Sequence, residues 1–244
     1  MTETAIYDGH AHWGTEQERA FRRSQGIITM VCAGTPPEAA RLMAETEGDK
    51  FFLPAAGLHP WHSAEYSVEA MLPYLEAAPV IGEIGMDSVW CRVPMETQRA
   101  AFKEQLEIAG RLKKPVVLHT KGMEEEIGEM IAAVSNRYLV HWYSSMDHLD
   151  RYLKLGCYFT LGPDLAVNPA VRQVAERAPA DRLMVETDGF SAVTWALGDM
   201  PLERLPGILR ENMELTAQIK GLPMEKMAEL MKENFLRFIK NPLQ

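Results

Sequence analysis

Residues 5–14 read AIYDGHAHWG. The first four have the apolar, β-branched character of a strand. A strand that opens a doubly wound sheet leads into a glycine-rich phosphate loop. DGHAHWG is no such loop, so the sheet that begins here is expected to close into a barrel.

Working outward, apolar β-rich runs recur at intervals of about 20 to 30 residues. They fall at 5–8, 27–32, 51–57, 80–83, 115–119, 138–141, 157–161 and 183–186. Pro54 weakens the third, because proline removes a ladder donor. Helical periodicity occupies 36–46, 68–78, 96–113, 123–134, 169–178, 205–220 and 224–239. In the clearest helix, Phe102, Leu106, Ala109 and Leu112 repeat at helical spacing and make one apolar face. Pro115 stops that helix and opens the next strand. Strands alternating with helices imply a parallel sheet. The 244 residues match the roughly 250 typical of a (β/α)8 TIM barrel. The expected fold is therefore α/β, a single barrel domain over residues 1–244, with its active face at the C-terminal ends of the strands.

Composition removes other classes. The chain is 47% apolar and 24% charged, which is ordinary for a folded domain and excludes disorder. No stretch approaches the ~20 apolar residues of a membrane span. MTETAIYDGH lacks the basic and apolar regions of a secretory signal. Cys32, Cys91 and Cys157 are widely spaced and form no CxxC pair, and so read as buried thiols. A cytoplasmic, membrane-free protein is expected. The net charge of −9 argues against a broad phosphate-binding surface, though metal ions can hold the phosphate in a nucleic-acid enzyme.

The seven histidines are not scattered at random. His10, His12, His59, His119 and His141 fall at or just past predicted strand ends. Random placement would put about 0.7 histidines at the eight strand ends of such a barrel, which all open on one face. Glu83 ends the fourth run, and Asp188 follows the eighth. Imidazoles with carboxylates form the ligand set of a borderline divalent metal such as Zn, Mn, Fe or Ni. His10 and His12 lie two apart on a strand, so both face the same side. A single strand-end histidine is more often a hydrogen-bonded structural residue. As a group, the His10 and His12 pair, two further strand-end histidines, Glu83 and Asp188 point to a metal site, and a buried Glu83 needs a cation in any case. His62 and His148 read as surface residues. The fifteen methionines read as core filler. Trp13, Trp61, Trp90, Trp142 and Trp195 fit a pocket mouth or barrel-rim packing equally well.

In chain order, these residues resemble the TatD-type metal-dependent hydrolases, the TatD DNase family of amidohydrolase-like barrels. Asp8-Gly9-His10-Ala11-His12 is similar to the family's D-x-H-x-H, and Gly57-Leu58-His59-Pro60 to its G-x-H-P. Ile81 to Asp87 resembles IGE-x-G-x-D. Gln98, Arg99 and Phe102, followed by Pro115 to His119, resemble QR-x-x-F and PV-x-x-H. Val140-His141, Glu186-Thr187-Asp188 and Glu233-Asn234-Phe235 complete the ordered set. The resemblance implies one to three divalent ions, two in the simplest form, with Mg added to the candidate metals. It assigns His10, His12 and Asp188 to the first, His119 and His141 to the second, and Glu83 to the bridge. Asp188 would also orient or deprotonate the attacking water. His59 would contact a substrate phosphate. Lys121 stands where the family has an arginine, a point charge in place of a bidentate fork. The implied reaction is hydrolysis of a phosphodiester, the family's usual substrate being DNA. Two departures lie on the substrate side. Gly189-Phe190-Ser191-Ala192 replaces a small residue, proline and an aromatic, and His141-Trp142-Tyr143-Ser144-Ser145 replaces H-C-F-S-G. They leave a small phosphoester, lactone or amide open as substrate. A non-enzymatic metal-bearing binding protein is a further alternative, although binding alone needs no open cation site.

Overall fold

The computed structural model describes residues 5–240. These contain eight strands and ten α-helices. The strands are β1 (Tyr7–His12), β2 (Ile28–Ala33), β3 (Phe52–Ala56), β4 (Val80–Gly85), β5 (Val116–His119), β6 (Tyr138–Val140), β7 (Tyr158–Leu161) and β8 (Leu183–Val185). The helices are α1 (Glu16–Ser24), α2 (Pro36–Thr46), α3 (Val68–Ala77), α4 (Met95–Leu112) and α5 (Glu124–Ala132). They continue with α6 (Leu149–Lys154), α7 (Pro169–Arg177), α8 (Phe190–Leu197), α9 (Leu205–Lys220) and α10 (Met224–Ile239). Each strand pairs in parallel with its neighbours in sequence, from β1 through β8. This is the (β/α)8 barrel the sequence implied.

Closure brings β8 back beside β1. The Asp188 amide donates to the His10 carbonyl at 3.1 Å. Gly9 makes the approach possible, since a Cβ there would lie 2.5 Å from the Thr160 methyl. Beside it, buried Arg22 of α1 donates to Asp8 Oδ2 at 2.6 Å, to Thr187 Oγ1 at 2.8 Å and to Glu18 Oε1 at 3.0 Å. Thr187 in turn donates to Asp8 from its amide (3.0 Å) and its hydroxyl (2.6 Å). One charged cluster thus ties α1, β1 and the end of β8 together.

Side chains alternate across the sheet as a period of two requires. Met30, Cys32, Ala55, Val80, Val117, Leu139, Tyr158 and Met184 pack together inside the barrel. Val31, Ala33, Ile81, Val116, Leu118, Phe159 and Val185 pack outward with the helices. Phe235 and Phe238 of α10 join the inner set, with Phe235 5.2 Å from the Tyr7 ring and Phe238 5.6 Å from Tyr158. They seal the N-terminal end of the barrel and leave the C-terminal end as its mouth.

Two strands break the alternation. Between Asp8 and Ala11, β1 carries one more residue than β2, and between Ile81 and Ile84, β4 carries one more than β5. Such bulges re-aim the side chains beside them. They lie next to His10 and Glu83. The Gly82–Glu83 peptide bond is cis. Pro54 is accommodated because it pairs towards β2, while pairing with β4 begins only at Ala55. Most predicted strands agree with those observed to within two residues. The first was placed too early: β1 runs to His12, so both histidines lie within it. The α1, α6 and α8 helices were not anticipated. No helix of the described residues is long and apolar enough to cross a membrane.

Candidate metal centre

Glu83 lies at the centre of the barrel mouth, 1% exposed. Its two oxygens face different partners. Oε2 lies 3.6 Å from His10 Nε2 and 3.4 Å from His12 Nε2. The same two nitrogens lie 3.3 and 3.5 Å from Asp188 Oδ1. Oε1 lies 2.7 Å from His119 Nδ1, 2.6 Å from His141 Nε2 and 3.7 Å from His59 Nε2. All seven come from strand ends, or from the residues that follow them. The sequence singled out each one, and the fold brings them together across β1, β3, β4, β5, β6 and β8.

Three atoms at the Oε2 side are buried without a hydrogen-bond partner: His10 Nε2, Glu83 Oε2 and Asp188 Oδ1. A buried polar group left in that state costs free energy. Facing lone pairs on nitrogen and carboxylate oxygen can be satisfied together by a divalent cation. Donor atoms of His10, His12 and Glu83 lie within 4.8 Å of one another, as do those of His59, Glu83 and His119. The residues present therefore fit the metal that the sequence implied.

The electrostatics follow from this packing. Burial opposes ionisation of Glu83, but the neighbouring imidazoles of His141 and His59, with hydrogen bonds from His119 and His141, outweigh it and hold the carboxyl well below its ordinary range. Burial likewise opposes charge on His141, yet Glu83 lifts it to about 10. His119 is raised against burial by Asp87 and Glu83. Asp188 is lowered, burial again being overcome by His10 and His12. His59 behaves differently: burial dominates and brings it down to about 4. It is neutral at pH 7. Its Nδ1 accepts from the Trp61 amide at 3.3 Å, so the hydrogen sits on Nε2, aimed at Glu83 Oε1.

Several side chains that hold these ligands were not given roles from sequence. Asp87 Oδ2 faces His119 Nε2 at 3.1 Å. The Trp61 indole N–H donates to the same oxygen (2.8 Å), and the Val89 and Trp90 amides donate to Asp87 Oδ1 (2.8 Å each). Glu186 is fully buried, its carboxylate 3.7 Å from His141 Nδ1 and otherwise without partners. Cys32 Sγ lies 3.4 Å from His10 Nδ1. Asp87 and Glu186 could have been noticed as acids set in or just past strand ends. Arg22 gave no signal, because its helix was not foreseen.

A cavity of about 700 Å³ opens above the centre, lined in part by Trp61, Trp90, Trp142, Trp195 and Lys121. Lys121 Nζ donates to Ser144 Oγ at 2.8 Å and stands 4.6 Å over the Trp90 ring. Trp13 lies apart, against Phe52 and Arg19. His62 is a partly exposed surface residue that also lines the cavity. His148 is exposed at the start of α6.

A barrel whose mouth gathers imidazoles and carboxylates around a central buried glutamate is the architecture of a metal-dependent hydrolase. Residues 7–240 match the family described as TatD related DNase, and the chain belongs to that family. It is 24% identical to an uncharacterised metal-dependent hydrolase, YabD, of Bacillus subtilis, over 96% of this chain and 99% of that protein. It is 29% identical to the 3'-5' ssDNA/RNA exonuclease TatD of a Rahnella species, over 89% and 88%. The crystal structure of YjjV, a TatD homolog from Escherichia coli, superposes with a TM-score of 0.81 at 23% identity, covering 96% of this chain and 97% of that one. That last likeness is one of fold.

Proposed function

We propose that the protein hydrolyses phosphodiester bonds of nucleic acid with two divalent cations, drawn from Zn, Mn, Fe, Ni or Mg, bridged by Glu83. The observation that carries this reading is the division of Glu83: Oε2 turns to His10, His12 and Asp188, and Oε1 to His119 and His141. Bound in such a pair of sites, divalent ions lower the pKa of water and withdraw charge from a phosphoryl oxygen. The name of the Rahnella relative supports nucleic acid as the substrate class.

The chain's own groups have distinct tasks in this reading. Asp188 is ionised and 19% exposed at its side chain, so it faces both the centre and the cavity and can take a proton from water. His59 offers a neutral Nε2–H to a phosphoryl oxygen and adds no charge. Lys121 supplies the charge, held at the cavity wall by Ser144. Free thiols at Cys32, Cys91 and Cys157 support a reducing, cytoplasmic setting. The test uses the full chain stripped with EDTA and reloaded with Mn²⁺, Mg²⁺ or Zn²⁺, offered a single-stranded oligonucleotide. Metal-restored cleavage that disappears in Glu83→Ala and His119→Ala is expected. Undiminished cleavage in both variants would reject this centre.

A further inference from the structure

The tryptophans at the mouth are a built feature that the metal centre does not require. Trp195, on α8, lies edge-on to two others. Its ring centroid is 5.9 Å from Trp90 at 80° and 6.2 Å from Trp142 at 76°. Trp142 is pinned: its indole N–H donates to Asp164 Oδ1 at 2.7 Å, and Asn168 holds the other Asp164 oxygen at 2.7 Å. The indole also occupies space that any side chain at Gly162 would fill, since a Cβ there would lie 2.3 Å from Trp142 Nε1. Trp90 and Trp195 remain 50% and 71% exposed. Singly exposed apolar residues are ordinary, but three tryptophans in mutual contact at the rim of a cavity, one of them pinned, mark a recognition surface.

The charges around the wall limit what it can recognise. Glu38, Glu124 and Asp164 line the cavity, and among the described lining residues Lys121 is the only lysine or arginine. Its Nζ stands over the Trp90 ring. Away from the metal centre, a long phosphate backbone would meet one cationic side chain and several carboxylates here, on a chain of net charge −9. A single phosphate joined to a single flat ring would meet Lys121 and the tryptophans together.

We propose that Trp90, Trp142 and Trp195 form the subsite for one nucleobase, stacked beside the phosphate that Lys121 and the metal centre engage. The substrate is then an unpaired strand end or short oligonucleotide, recognised over about one nucleotide. This rests on the phosphodiester reading above and specifies its substrate. Base stacking on aromatic side chains tolerates every base, so the subsite demands a base without selecting which.

Two measurements on the metal-loaded full chain test this. The first compares kcat/KM for a dinucleotide and its abasic counterpart. Stacking predicts a preference of about ten-fold or more for the base-bearing substrate. In Trp195→Ala the preference should fall towards one, and Trp195→Phe should restore part of it. Lengthening the substrate to a 20-mer should change kcat/KM less than about three-fold, and the log–log salt slope should stay at about −0.7, as one phosphate contact on a single strand implies. The second measurement titrates deoxyadenosine 5'-monophosphate and deoxyribose 5-phosphate by tryptophan fluorescence and calorimetry. The nucleotide should bind more tightly by a similar factor, and Trp195→Ala should erase the difference.

Equal cleavage of the based and abasic substrates, a preference that survives in Trp195→Ala, or rates that climb steadily with length would overturn the subsite. If no diester is cleaved but the nucleotide still binds through Trp195, the hydrolytic reading fails and the subsite stands. If DNA is cleaved while nucleotide and sugar phosphate bind alike, the subsite fails and the reaction stands.

Discussion

Glu83 has two carboxylate oxygens, and the nitrogens of His10, His12, His59, His119 and His141 all lie within 3.7 Å of one or the other. Removing its charge disturbs every one of them. Glu186 acts at one remove. It faces the nitrogen of His141 turned away from Glu83, and burial pushes its carboxyl towards the neutral form while His141 opposes this. Groups that orient a metal-binding imidazole typically contribute about 10–100-fold in metal affinity or activity. Glu186→Gln keeps the shape and removes the charge. The expected outcome is a loss of that size, recovered by raising the metal concentration. A loss that excess metal cannot restore, or no loss at all, would remove Glu186 from this role. Glu83 was legible as a strand-end acid, but the role of Glu186 was not, because nothing in a sequence says which face of His141 a neighbouring strand will meet.

Elements carry the next level of control. The β1 and β8 ends meet through a buried ionic cluster whose only cation is Arg22, 2% exposed, beside fully buried Asp8 and nearly buried Glu18. Taking one partner from a buried pair costs about 3–5 kcal/mol, because the remaining charge stays behind uncompensated. Arg22→Met is expected to lower unfolding stability by about that amount in urea titrations. It should also weaken metal binding, since Asp188 follows directly on Thr187 of the same cluster. A variant as stable as the parent would show that β8 is fixed by other means. The alternation of strands and helices was legible because β-branched runs and three-four apolar spacing are local signals. So was the crowding of histidines at strand ends. The bulges in β1 and β4 were not, because an extra residue shows only against the register of a partner strand. The helix α8, FSAVTWAL, is almost wholly apolar and shows no amphipathic stripe. With it went the position of Trp195, and so the distinction between a pocket mouth and rim packing. The α1 helix is mostly charged, and its one informative residue is an arginine that points inward.

For the molecule as a whole, the metal centre sets how stability depends on pH. In metal-free protein, Glu83 and Asp188 are ionised below their ordinary range, and His141 keeps its proton up to about 10. A raised histidine stabilises the fold fully below its ordinary value of 6.5, and that contribution is lost as pH rises towards the folded value. The depressed carboxyls contribute above the ordinary carboxylate range, and lose that contribution on acidification. Between pH 6.5 and 8.5 the carboxyl contribution is constant, so the His141 and His119 contributions decline and the metal-free fold weakens. Metal binding reverses the sense, because a cation must displace those imidazole protons and competes better as they become scarce. Loaded protein is also stabilised in proportion to the logarithm of metal concentration over Kd. The gap in Tm between Mn²⁺-loaded and EDTA-stripped protein should therefore widen from pH 6.5 to pH 8.5. At pH 7, calorimetric titration with Mn²⁺ should show proton release, read as a heat that changes with the ionisation enthalpy of the buffer. If the gap narrows with pH, or the heat is the same in every buffer, His119 and His141 are not exchanging protons for metal, and the second cation is not held where Glu83 Oε1 points.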